Sequence, residues 1–111
     1  MAFRMTEQAY LVLVTLADGP RHGYGIVRSV ADLSDGVVRL GPGTLYGLLD
    51  RLSDAGYVAP DRDEVVNGRL RRYYRTTDAG SAAALAETER LAGLARRART
   101  ALAARPALGS V

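Results

Sequence analysis

The sequence predicts a mainly α-helical domain with one small β-hairpin, in which three short helices lead into the hairpin and a long helix closes the chain. Three observations predict it. Apolar residues recur at helical spacing in three segments before Gly56, an Asn67-Gly68 pair separates two strand-like runs, and an alanine-rich stretch then continues without proline until Pro106. At 111 residues, 48% of them apolar, the chain can enclose one core of ordinary size and not two.

Thr6 is placed to cap the first helix, whose opening turn carries Glu7 and Gln8 at the positive end of the helix dipole and which runs to about Ala17. Position 9 is alanine, so the reciprocal capping box is absent. The run YLVLVTLA, residues 10–17, is too short to cross a bilayer, and Glu7 ahead of it is unlike a signal peptide. It reads as a buried helix, and the expectation is a cytoplasmic protein with no membrane partner. The lack of cysteine removes disulfides, thiolate nucleophiles and cysteine-ligated zinc, and fits a reducing interior.

Gly19 and Pro20 then break the chain. A second helix is expected from near His22, with Ile26, Val30 and Leu33 on its inner face and a stop at Ser34-Asp35-Gly36. The third helix lies in LGPGTLYGLLDRLSDAG, residues 40–56, starting after Pro42 and ending before Gly56. Leu45, Leu48, Leu49 and Leu52 form its core face. Gly43, Gly47, Asp50 and Asp54 lie opposite, flanked by Thr44, Tyr46 and Arg51.

Strands are expected near residues 57–63 and 69–76, with Pro60 placing the first at an edge or distorting it. In the second, Leu70, Arg72, Tyr74 and Thr76 share one face and Arg69, Arg71, Tyr73 and Arg75 the other. Tyr74 is expected inward. From Thr77 or Asp78 the last helix runs to about Arg105, with Leu85, Leu91, Leu94, Ala98 and Leu102 as an approximate apolar stripe. That is more apolar surface than a three-helix core can cover, so a second subunit is the expected cover, making the chain a homodimer. The expected division is a winged helix-turn-helix over residues 1–77, a dimerisation helix over 78–105 and a flexible tail over 106–111.

Charge points to the partner. The formal net charge is +3, and all fifteen basic residues are arginine. Residues 1–60 carry five arginines against six acids, whereas residues 61–111 carry ten against six, so the basic character belongs to the second half. Arginine is the better fork for phosphates and guanine edges. The first turn of the third helix is nearly bare backbone, which lets amides approach phosphate, while Thr44 and Tyr46 add hydroxyls. Arg69, Arg71, Arg72 and Arg75 surround two tyrosines, and Gly68 at the tip lets an arginine reach into a narrow minor groove or along phosphates.

Helix, helix, exposed third helix and basic hairpin is the order of a winged helix-turn-helix, with double-stranded DNA as the partner. Amphipathic helices with solvated outer faces and charged edge strands also exist for structural reasons alone. Asp50 and Asp54 limit any contact to the first turn and a half, and keep open a winged-helix module that binds protein and antagonises another regulator.

An enzyme is not expected. The lone His22 has no cysteine to pair with and reads as a cap or packing residue. Asp61, Asp63 and Glu64 alternate faces on a strand with no histidine near, and no Walker-type loop is present. No metal and no cofactor is expected.

The segments GPRHGYGI at residues 19–26, LGPGTLYGLLDRLSDAGYV at 40–58, NGRLRRYY at 67–74 and TDAG at 77–80 together resemble the PadR family of transcriptional regulators, in order and spacing, over most of residues 5–95. The resemblance implies a homodimeric winged helix-turn-helix repressor of the compact subfamily, with one long dimerising helix. It implies that Thr44, Tyr46 and Gly47 lie on the recognition helix and Gly68 and Arg69 at the wing tip, and that His22 and Tyr24 touch backbone phosphate. Two positions depart from the family pattern. Leu70 stands where proline commonly follows the Gly-Arg pair, and Thr76 where an aliphatic residue is usual. The chain has no tryptophan, so a tryptophan-lined drug pocket is not implied, and a small-molecule effector is an expectation without a residue to carry it.

Overall fold

Helix-starting chemistry sits at the expected places in the computed structural model, which describes residues 3–104. The elements are α1 (Glu7–Thr15), β1 (Arg21–His22), α2 (Gly23–Leu33), α3 (Pro42–Asp54), β2 (Val58–Val66), β3 (Arg69–Thr76) and α4 (Asp78–Ala103). The end expected near Arg105 and the tail beyond it lie outside the described residues.

Thr6 caps α1 by accepting the Ala9 N–H at 3.2 Å. Pro42 occupies the first turn of α3, whose cap, Gly41, has no side chain to offer. Thr77 caps α4, accepting the Gly80 N–H at 3.0 Å and donating to the Gly56 carbonyl at 2.6 Å, so one hydroxyl ties the start of α4 to the end of α3. Gly56 ends α3 with φ at +79°, the left-handed position a glycine takes without strain.

The first three helices enclose the core. Leu11, Val12 and Leu13 from α1, Ile26 and Val30 from α2, and Leu45, Leu48, Leu49 and Leu52 from α3 are buried together, with Val58 entering from β2. Leu33, expected on this inner face, is 51% exposed. It borders an open cleft against Val14, Ala17 and Asp18, where α1 is already ending and cannot cover it.

The sheet has three strands, not two, in the antiparallel order β1-β3-β2. Arg21 pairs with Tyr74 and His22 with Tyr73. A two-residue strand has no alternation to read, which is why only the hairpin was visible in sequence. β2 also runs three residues further than expected, to Val66. An irregularity between Pro60 and Asp63 absorbs the proline on this edge strand, and regular pairing resumes up to Val66 opposite Arg69. The turn itself has φ of +52° at Asn67 and +75° at Gly68, the geometry a two-residue hairpin favours.

Tyr74 packs on the core, as expected, but Leu70 on the same face is 62% exposed. The hairpin extends past the core, so only its base is covered and Leu70 meets Val65 across the strands near the tip. α4 departs in the same way at the other end. The molecule measures 67 × 28 × 24 Å with a radius of gyration of 17.6 Å, against about 13 Å for a compact domain of this size. Beyond its contacts with α1, such as the 2.7 Å hydrogen bond between the Tyr10 and Thr88 hydroxyls, α4 leaves Leu85, Leu94 and Leu102 in solvent at 62%, 49% and 65%.

Candidate nucleic-acid interface

The first turn of α3 is open backbone. Gly41, Pro42, Gly43 and Thr44 are all exposed, and a methyl group built on Gly41 or Gly43 would meet nothing within 4 Å. No side chain caps this end, so the amides of Gly43 and Thr44 point outward. Gly47 is half-buried, and Asp50, Arg51 and Asp54 continue the outer face in solvent.

Tyr46 is 48% exposed. Its hydroxyl sits against α2, so close to Gly23 that a Cβ there would lie 2.6 Å from the oxygen. Glycine at position 23 thus makes room for the tyrosine of another helix. Burial, followed by the neighbouring Tyr46, raises the Tyr74 pKa, with Arg72 opposing and Asp50 adding to the rise. The rise leaves Tyr74 neutral at ordinary pH.

At the start of α2, His22 is the cap. Its Nδ1 accepts the Gly25 N–H at 3.2 Å. Its ring stands edge-on to Tyr73 at 5.4 Å between centroids, and Tyr73 carries the Arg62 guanidinium 3.9 Å above its centre. Burial, then Arg71, hold the His22 pKa below its ordinary value, against a smaller pull from Glu64. Tyr24 projects into solvent beside Arg28, whose guanidinium lies 5.8 Å from the ring centre. Arg28 and Arg62 are not among the residues the sequence singles out, although the four-residue spacing from Tyr24 to Arg28 is a readable signal.

The arginines of the hairpin do not stand alone as their sequence neighbours suggested. β2 brings acids alongside β3: Arg72 pairs with Asp63 at 3.4 Å and Arg75 with Asp61 at 3.8 Å. Arg62 pairs with Asp61 and Glu64. Asp61, Asp63 and Glu64 are therefore engaged by guanidinium groups. Among the described residues, Arg69 and Arg71 make no ion pair, so the uncompensated charge of the wing is concentrated on these two. The pairs of Arg72 and Arg75 are exposed and weak, which leaves both guanidinium groups open to exchange.

The structure thus brings His22, Tyr24, Tyr46 and Arg71 around the start of α2, while Asn67, Gly68 and Arg69 stand at the hairpin tip. Among the described residues, no helix is long and apolar enough to cross a membrane.

Three helices, a three-stranded sheet and a projecting hairpin define a winged helix-turn-helix. The chain belongs to the transcriptional regulator PadR-like family, whose profile matches residues 12–86. It is 40% identical over 85 residues to the transcriptional regulator Rv3488 of Mycobacterium tuberculosis, covering 77% of this chain and 76% of that one. It is also 42% identical over 73 residues to an uncharacterized 37.1 kDa protein in transposon Tn4556 of Streptomyces fradiae, covering 66% of this chain but only 20% of that protein's length. A PadR family transcription regulator from Clostridium difficile superposes with a TM-score of 0.74 at 19% identity, over 87% of this chain and 99% of that one. Bacillus subtilis PadR in complex with operator DNA superposes with a TM-score of 0.64 at 21% identity, over 72% of this chain and 45% of that one. At these identities the likeness to the solved structures is one of fold.

Proposed function

We propose that the protein is a sequence-specific DNA-binding regulator that acts as a dimeric repressor on a pseudo-palindromic operator in the cytoplasm. The observation that carries the reading is the uncapped, glycine-lined start of α3 together with a wing in which, among the described residues, Arg69 and Arg71 are outside any ion pair. α3 enters the major groove through Gly43, Thr44, Tyr46 and Gly47, the wing lies along phosphate through Asn67, Gly68, Arg69, Arg71 and Arg72, and His22 and Tyr24 hold the backbone.

Residues 1–77 form the DNA-binding unit. α4 pairs two copies through Leu85, Leu91, Leu94, Ala98 and Leu102, setting the two α3 helices about 34 Å apart, one turn of DNA. Repression follows from covering a promoter. A small-molecule effector would release the operator by binding better to a dimer whose α3 helices stand at another separation, since equal affinity for both states shifts nothing.

The test is fluorescence-anisotropy binding to a generic duplex over a salt series. A dimer neutralising roughly six phosphates gives a slope of log K against log salt near −5, and Arg69→Ala with Arg71→Ala flattens it toward about −2. A second reading, a module that binds a protein partner, is favoured by Asp50 and Asp54 on the outer face of α3. No wild-type binding at low salt would put that reading first.

A further inference from the structure

Both ring nitrogens of His22 face N–H donors. The Gly25 amide donates to Nδ1, and the Arg71 guanidinium lies 3.5 Å from Nε2. A neutral imidazole has one acceptor nitrogen, and the cap uses it. The proton of the neutral ring therefore sits on Nε2, and an Nε2–H cannot accept from Arg71. Two donors then stand side by side with no acceptor between them among the described residues.

The groups around the ring leave this arrangement in place. Glu64, opposite Arg71 across the strands, receives the Tyr73 hydroxyl at 3.5 Å and pairs with Arg62 at 3.8 Å. Arg21, next to His22 on β1, is held by the Thr15 carbonyl and Asp18. Tyr24 and Arg28 on α2 contact each other. Tyr73, with Arg62 stacked on it, supports the ring on one side.

We infer that His22 and Arg71 form a single-phosphate clamp in which His22 acts as a neutral, tautomer-locked donor, fixed by its own cap to α2, and Arg71 supplies the charge. The inference rests on the DNA-binding reading above and adds the protonation state and the pairing. An oxygen of a phosphodiester accepts from Nε2–H and from the guanidinium at once, which joins the start of α2 to the wing through the DNA backbone. A neutral donor displaces no counterion, whereas a guanidinium does.

The experiment measures duplex binding by the full chain over a salt series for wild type, His22→Asn and Arg71→Ala. Asparagine still caps a helix, so His22→Asn removes the Nε2 donor and keeps the start of α2. The expected result is an affinity loss of about tenfold at fixed salt with an unchanged slope for His22→Asn, and a slope shallower by about 2 per dimer for Arg71→Ala. Wild-type affinity in His22→Asn would overturn the clamp while leaving DNA binding intact, and a flattened slope in that variant would show an imidazolium contact instead. Absence of any binding by wild type would overturn the DNA-binding reading itself. Because the chain has one histidine, long-range proton–nitrogen NMR on the wild type reads its ring without assignment. A protonated Nε2 with a bare Nδ1 at pH near 7 supports the clamp, and the other tautomer or a doubly protonated ring overturns it.

Discussion

Gly80 shows how much one missing methyl group can decide. A Cβ there would overlap the Tyr57 carbonyl oxygen and crowd the Thr76 hydroxyl, in the joint where Thr77 binds Gly56. Gly80→Ala is therefore expected to cost about 2 kcal/mol, despite the better helix propensity of alanine, measured as a lower urea midpoint. His22 gives a pH signature of its own. Its folded pKa is lowered from 6.5, so the unfolded chain takes up the proton first as pH falls. The stability contributed by the neutral ring is full above the unfolded value and is lost as pH drops through it toward the folded one. Between about pH 7 and about pH 5, the thermal midpoint of wild type is expected to fall further than that of His22→Asn, which has no ring to titrate.

The hairpin behaves as two different parts. Its base belongs to the core through Val58 and Tyr74, while its tip, with Leu70 opposite Val65, is in solvent. Tyr74→Ala should lower stability by about 2 kcal/mol, and Tyr73→Ala by less, in thermal denaturation at pH near 7. The reverse order would place Tyr73 as the structural residue. The exposed tip also bears on Leu70, which follows the turn and the wing-tip Arg69. Leu70 contributes little to packing there, and the turn is already set by positive φ at Asn67 and Gly68. α3 combines a leucine face, all four residues of which are buried, with a first turn left bare. The core burial holds the helix without a side-chain cap, so its amides stay open to a ligand.

The elongation of the molecule comes from α4, which projects from the helical core with three exposed leucines along it. A 26-residue helix with this surface is expected to recruit a second copy. Leu85→Glu combined with Leu94→Glu should convert a dimer to a monomer in sedimentation velocity at micromolar concentration, with the helical circular dichroism of the winged-helix core retained. Unchanged mass in that variant would place the dimer contact elsewhere. Since α4 also bonds α1 through Tyr10 and Thr88, its pairing would set the relative position of two DNA-binding units, and the monomeric variant should lose most of its affinity for a two-site duplex.

Interactions spanning three or four residues were legible in the sequence, because periodicity, caps and turn residues act within one turn of chain. Thr6, Thr77, Pro42, the Asn67-Gly68 turn and the leucines of α3 all belong to this group, as do the exposed glycines that open the candidate interface. Contacts between distant segments depended on register and reach, which only folding supplies. Pairing of β1 with β3 has no local pattern, the neutralisation of Arg72 and Arg75 needs the β2 register after the irregularity at Pro60, and the exposure of Leu33 and Leu70 follows from where the core ends. The hydroxyl of Tyr46 against Gly23, and Arg71 against the capping imidazole of His22, likewise exist only once α2, α3 and the sheet have met. Local chemistry determined which elements form and which way they face; tertiary packing decided which charges remain outside ion pairs and that Arg71 stands at the second nitrogen of His22.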